Sequence, residues 1–482
     1  MHLPVLAASL AAFTPLIPLP QTDVEEQPYS EVSEYLEQRF EETGVPGAAY
    51  SIIDLNGESH SYAWGTDGSG DPVDLGTPFL WGSVAKPVTS AAVMTLVEDG
   101  LIDLDEPVTT YLPDFTLADK DRSDRITVRD LLQQTTGIPE GTGITDRFEH
   151  HDDPYGDAVA DLAGVEPFTD PGETLEYASA NYVVVGAVVE AVTGMSYEEY
   201  LHEAVLDPLG MTGAVTDVEG AADVPRGHAV AFGQPVPVKT RYDQTGPAYG
   251  YLGGNIQDLT AFAADQLGES AILTPESVAE THTAAVEFSD TVDYGLGWRV
   301  DGRNADLGAT TVWHTGGAPG FSAGVILLPE LDRAVVVVQN RYGYFQDGQL
   351  IGTMLGAARM LAGGEPVEPE SDLLYPSLLA GLCALTLAAV ATVFLTFLRL
   401  GKARKVNRSL VITGMACWVL AAFATAYVSF ALVPGLAPSR AAFFGMMPDV
   451  AWLFTALGTA ALIAAAVRVW AGAVLLRRSQ AE

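Results

Sequence analysis

Cysteine is nearly absent from this chain. Only Cys383 and Cys417 occur, both within apolar segments of the C-terminal part. The residues before them can hold no disulfide, no thiol nucleophile and no cysteine-ligated metal. An extracellular domain without disulfides rests on its core alone. Positive charge is the second scarcity. Lys and Arg number 24 against 62 Asp and Glu, a formal net charge of −38. Before the apolar tail the lysines are Lys86, Lys120 and Lys239. Such a surface excludes nucleic acid as a partner, because phosphate contacts need clustered Lys and Arg. It resembles the surfaces of halophilic proteins, where salt screens a high charge, and acidity also serves solubility.

Long apolar runs are missing from the middle of the chain and concentrated at its end. Leu373–Leu398 and Ser409–Leu436 are long enough to span a bilayer, and Val450–Val467 spans if extended to about residue 470. The loop between the first two carries Arg399, Lys402, Arg404, Lys405 and Arg408, and Arg477 and Arg478 follow the third. Positive loops stay inside. Everything before Leu373 is therefore expected outside the cell, on a multi-pass membrane protein whose tail has the lipid bilayer as its partner. Arg468 near the end of the third span reads as a snorkelling side chain. Nothing polar within the spans suggests a conduit. Met1–Pro20 is almost uncharged and reads as a secretory signal or an uncleaved anchor. The expected organisation is a signal or anchor over residues 1–22, an extracellular domain over 23–363, a polar linker over 364–372 and a membrane domain over 373–482. Its helices fall near 373–398, 409–436 and 450–470.

The extracellular part mixes helix and strand. Tyr29–Gly44 is predicted helical, with Val32, Leu36 and Phe40 on one stripe and glycine at the end. Ala48–Asp54 and His60–Gly65 flank Asn56-Gly57, a hairpin signal. Ser83–Asp99 is apolar on most faces and reads as a buried central helix ended by Gly100. From Leu101 to Gly295 loops and helices are expected, with Val183–Thr193 a helix. Strands return at Thr310–His314, Ala323–Pro329 and Arg333–Gln339. Early and late strands around a helical insert predict one antiparallel sheet built from both ends of the domain, an α+β fold.

Ser83-Val84-Ala85-Lys86 carries the chemistry. Positions i and i+3 share a helix face, so the Lys86 amine can meet the Ser83 hydroxyl. A neutral amine can take the serine proton, and burial favours the neutral form. Pro87 requires the helix to begin near Ser83, which puts the serine where free N–H groups favour developing negative charge. Taken alone, Ser83 would be a helix cap and Lys86 a surface residue.

Further motifs follow in order. Gly100–Val108, Tyr111-Leu112-Pro113, Ile126–Gly137, Pro208–Met211, Tyr249–Asp258 and Tyr294–Trp298 accompany Tyr177-Ala178-Ser179 and His314-Thr315-Gly316-Gly317. In this array, over roughly Tyr29–Gly363, the chain resembles the serine β-lactamase and penicillin-binding superfamily. It is most similar to the class C-like branch of D-peptidases, esterases and D-alanyl-D-alanine carboxypeptidases. The resemblance implies an antiparallel sheet flanked by helices plus an all-helical lobe, with Ser83 between them. It implies Ser83 as nucleophile, Lys86 as base and Tyr177 as proton shuttle. Ser179 stands where the family usually has asparagine; a hydroxyl still donates but is shorter. Asn181 is spaced as a structural residue. His314 stands where many members have lysine. With Ser179, Thr315 and Gly316 it is expected to contact substrate, as a cation when protonated or in proton transfer when neutral. The implied oxyanion hole is the backbone N–H of Ser83 and of Gly317.

The expected reaction is acyl transfer on a small peptide, amide or ester, with no cofactor. His150-His151-Asp152-Asp153 lacks helical spacing and is not taken as a metal site. His60, His202, His228 and His282 are assigned no role, and Tyr249 is placed weakly at the cleft. Two other functions stay open: a sensor acylated by β-lactams or wall fragments, which would need a protein partner, and an inactive binding protein of the same fold.

Overall fold

The computed structural model describes residues 29–367, 373–400, 407–437 and 439–481. The signal segment, the end of the linker and Lys402, Arg404 and Lys405 of the basic loop lie outside the described residues.

Helix α1 (Ser30–Thr43) buries Val32, Leu36 and Phe40 and ends at Gly44, whose φ of 68° suits glycine. The hairpin of β1 (Gly47–Asp54) and β2 (His60–Gly65) follows. The central helix α2 (Ala85–Glu98) is preceded by a single 3₁₀ turn, Gly82–Val84, so Ser83 sits in the turn and not in the helix as expected from sequence. Pro87 is the third residue of α2, where the missing N–H would have no intrahelical partner anyway. Helix α3 (Ser179–Thr193) begins at the second motif, and α4 (Ile256–Leu267) is capped by Asn255.

Six further strands complete the sheet: β3 (Val286–Ser289), β4 (Val292–Tyr294), β5 (Arg299–Asp301), β6 (Thr311–Ala318), β7 (Phe321–Leu328) and β8 (Arg333–Gln339). The order is β2-β1-β8-β7-β6-β5-β4-β3, antiparallel throughout. β1 pairs with β8, with Ala49 opposite Val338, so both ends of the domain do build one sheet. Helix α1 and the last domain helix, α5 (Asp347–Leu361), cover one face through Phe40, Tyr50, Val337 and Met354. Helices α2 and α4 cover the other through Val88, Phe262, Val336 and Val338.

The stretch expected to hold only loops and helices contains four strands of note. β3, at the edge of the sheet, and β4 beside it are only four and three residues long, too short for a clear sequence signal. Gly227–Ala231 and Gln234–Val238 form a ribbon turned by Phe232 and Gly233, both at positive φ. Pro235 and Pro237 mask the second of these strands in sequence, and its half-exposed, edge position is what tolerates them.

Three apolar helices follow. Helix α6 (Leu374–Leu400), α7 (Arg408–Tyr427, with apolar helical turns to Leu436) and α8 (Pro448–Ala481) are long and apolar enough to cross a membrane. Leu387, Phe394, Leu410, Leu420 and Phe423 are exposed on them, as lipid-facing side chains would be. The short helix Arg440–Met446 joins α7 to α8.

Candidate active site

The site forms where the Gly82–Val84 turn meets β6. Trp81 is fully buried and its indole N–H donates to Gly254 O at 3.2 Å, which anchors the strand leading into the turn. Gly82 holds φ 57°, and Gly316 packs so closely that an added Cβ would collide with Trp81 O and Ser83 N. Only glycines let the serine turn and the strand approach this far.

Lys86 is completely buried. Its Nζ donates to Ser83 Oγ at 3.0 Å, Ser179 Oγ at 3.3 Å and the Tyr249 carbonyl at 2.8 Å. All three partners are uncharged. The Tyr177 ring stands over the amine, 5.0 Å from Nζ to its centroid. The Tyr177 hydroxyl is buried and makes no hydrogen bond to the described residues. Ser83, Tyr177, Ser179, Thr315, Gly316 and Gly317 all line one cavity of about 570 Å³. A serine hydroxyl, a lysine amine and a phenol ring are thus assembled beside a space of substrate size.

The segment carrying Tyr177 and Ser179 is held by Gln134. Its Oε1 accepts from Ala178 N–H at 3.0 Å and from Asn181 Nδ2 at 2.6 Å. Asn181 is fully buried and also accepts from Thr136 Oγ1 at 2.6 Å, so it clamps the segment and does not face the cavity.

His314 does not reach the cavity, contrary to its expected place in substrate binding. The side chain is fully buried, with Nδ1 2.8 Å from Thr315 O and Nε2 3.2 Å from Tyr294 OH. Burial, reinforced by the charges of Arg299 and Lys86, holds the imidazole well below its ordinary pKa. A neutral histidine facing inward cannot serve as the carboxylate-binding cation. Arg299 lines the cavity instead, with Nη1 3.2 Å from Thr315 Oγ1 and its guanidinium 4.7 Å from the Phe288 ring centroid. Sequence reasoning passed over Arg299, although it directly follows the family-like Tyr294–Trp298 stretch.

Carboxylates of the cavity wall were missed too. Glu140 is solvent-accessible and accepts from Ser179 N–H at 2.9 Å; the surrounding protein raises its pKa, partly offset by that bond and by Lys86. Asp146 is raised chiefly by burial, with Tyr251 OH donating to it at 2.6 Å. Burial pushes Asp347 up to about 6, against the pull of Arg299. Tyr249, placed only weakly from sequence, is buried and fixed by Asp243, which accepts its hydroxyl at 2.9 Å. No group of three or more metal-ligating side chains is assembled among the described residues; His151 instead pairs with Asp157 at 3.0 Å.

The chain matches the family described as Beta-lactamase over residues 32–354. It belongs to that family. The matched span contains the whole sheet together with Ser83, Lys86, Tyr177, Ser179, Arg299 and Thr315–Gly317. A curated relative, "Penicillin-binding protein 4" of Amycolatopsis lactamdurans, is 28% identical over 362 residues, covering 69% of this chain and 93% of that protein. The octameric penicillin-binding protein homologue from Pyrococcus abyssi superposes with a TM-score of 0.59 at 24% identity, over 73% of this chain and 81% of that one. A D-stereospecific amidohydrolase from Streptomyces sp. superposes with a TM-score of 0.53 at 25% identity, over 64% and 94%. As a Beta-lactamase family member the chain falls within a superfamily of serine hydrolases.

Proposed function

We propose that this protein is a membrane-tethered serine hydrolase that cleaves a peptide, amide or ester through an acyl-enzyme on Ser83. The observation that carries this reading is the 3.0 Å contact between Lys86 Nζ and Ser83 Oγ, in a pocket where Lys86 has only uncharged partners. Lys86, as the free amine, accepts the Ser83 proton while Oγ attacks the carbonyl carbon. The developing oxyanion is held by the N–H groups of Ser83 and Gly317. Tyr177 passes the proton to the leaving alcohol or amine as that bond breaks. Water then attacks the acyl-enzyme by the reverse relay. The hydroxyl of Ser179 still reaches Lys86 at 3.3 Å, so the change from asparagine keeps a hydrogen bond at that position and favours an active enzyme over an inactive binding protein.

The catalytic domain belongs on the outer side of the membrane. It contacts the starts of α6 and α8, through Tyr375 and Asp449, whereas Arg399, Arg408, Arg477 and Arg478 sit at the opposite ends of the apolar helices. Positive ends stay inside.

The test is hydrolysis of p-nitrophenyl acetate by the full chain in lipid nanodiscs, beside Ser83→Ala. Hydrolysis that disappears in the variant supports the acyl-enzyme. Equal rates, repeated with a peptide and β-lactam panel, would sink it.

A further inference from the structure

The cavity at Ser83 is not walled by the catalytic domain alone. Its far side is made by the membrane helices: Leu378 of α6, Val433 at the end of α7, and Phe443, Met447, Val450 and Phe454 around the start of α8. All six are apolar, whereas the Ser83 side carries Glu140, Asp146, Arg299 and Asp347. One continuous cavity thus has a polar reacting end and an apolar end.

This wall is fixed in place. Asp449 is buried and accepts from Phe232 N–H at 2.7 Å and from Tyr375 OH at 2.5 Å. Phe345 of the catalytic domain stacks on Tyr375 with ring centroids 5.5 Å apart. Ser439 Oγ donates to Asp146 Oδ2 at 3.2 Å. Leu382, Phe443, Val450 and Leu457 close into an apolar cluster against Phe345. Buried polar ties on both sides of an apolar cluster give a defined docking geometry.

Phe454 is six residues into α8, roughly 9 Å along its axis at 1.5 Å per residue. The apolar end of the cavity is therefore lined by the first turns of helices long and apolar enough to cross a membrane. At about 570 Å³ the cavity is of the size that holds a small molecule.

We infer that the substrate is an amphiphile, an ester or amide whose scissile carbonyl sits at Ser83 while an alkyl chain lies between Leu378, Val433 and Phe454. This inference rests on the Ser83 reading above. The membrane helices are then part of the specificity site as well as an anchor. An alkyl chain transferred from water to this wall gains binding that the bare reacting group lacks, and a substrate already in the leaflet has its chain at the right depth.

The experiment uses the full chain in nanodiscs with two ester series. p-Nitrophenyl alkanoates from acetate to dodecanoate carry the chain on the acyl side; alkyl acetates from ethyl to dodecyl carry it on the leaving side. The expected result is a kcat/KM that rises about threefold to fourfold for each added methylene in one series, up to the length that fills the wall. Val433→Trp should lower the ratio of octanoyl or octyl to the shortest ester at least tenfold. Phe454→Ala, which enlarges the apolar end, should move the preferred length upward and serves if the tryptophan variant misfolds. Hydrolysis that depends on Ser83 but is flat with chain length in both series would overturn the amphiphile and leave the serine hydrolase standing. Hydrolysis of no ester through Ser83 would overturn the amphiphile, and a peptide and β-lactam panel left uncleaved as well would overturn both.

Discussion

The amine of Lys86 donates to the backbone carbonyl of Tyr249 at 2.8 Å. That bond aims the amine back at Ser83 from a segment 163 residues away in sequence. Tyr249 is itself held through its hydroxyl by Asp243, so the carbonyl that orients the amine is fixed in its own segment. Removing the amine should abolish proton transfer while leaving the acyl pocket intact. Lys86→Ala is expected to lower kcat for p-nitrophenyl acetate by about 10²–10⁴-fold, the usual contribution of a positioned base. Single-turnover kinetics with the purified variant checks this; a loss below tenfold would remove Lys86 from the mechanism.

Tyr177 makes a sharper test, because its hydroxyl has no hydrogen-bond partner to lose among the described residues. Burying an unpaired hydroxyl costs stability, so Tyr177→Phe should unfold at the same temperature as wild type or slightly higher. Turnover should nevertheless fall by about 10²-fold or more if the phenol relays the proton. Thermal melts and kcat on the same preparation separate the two effects. A variant of unchanged melt and full turnover would assign Tyr177 to packing against Phe288 and Tyr294 alone.

Gly316 reports on the approach of β6 to the serine turn. A methyl group there meets backbone atoms of Trp81 and Ser83, which cannot rotate away. Gly316→Ala should cost about 1–3 kcal/mol of stability, the range for overpacking, and should displace Ser83 from Lys86. Denaturant unfolding beside kcat measures both; a variant with wild-type values of each would show that the two segments separate freely.

Asp347 predicts a pH dependence of stability. Its folded-state pKa of about 6 lies above the ordinary carboxylate value of 3.8 because burial disfavours the charge. Between those values the folded state binds more protons than the unfolded one, so this group's contribution declines as pH rises from about 4 to about 6. The melting temperature of wild type should therefore fall relative to Asp347→Asn across that interval and level off above it. Parallel curves for the two proteins would mean the carboxyl titrates normally.

The net charge of −38 predicts a salt response. Self-repulsion of an acidic surface weakens as ions screen it, so the melting temperature should rise from 0.05 to about 1 M NaCl, where the Debye length falls to about 3 Å. A flat or falling melting curve would argue against the halophilic reading of the composition.

What local pattern encodes was readable before any coordinates. The stripe of Val32, Leu36 and Phe40, the apolar tail and the apolar runs of β1 and β8 are short-range signals, and the sheet formed from both chain ends followed from them. The i, i+3 spacing of Ser83 and Lys86 placed amine beside hydroxyl because the 3₁₀ turn running directly into α2 brings such positions together. Only the tertiary structure decided the remainder. His314 was misassigned because its strand alternation does not say which neighbours bury it; Tyr294 and the sheet do. Arg299, Glu140 and Asp347 come from three distant segments, and no periodicity links them. The bond between Ser439 and Asp146 spans 293 residues. Contacts at such separation leave no mark in local sequence, since they depend on how layers dock and not on the residues alongside. That is why the three apolar helices read from sequence as an anchor, and only their docking brought them to the wall of the cavity at Ser83.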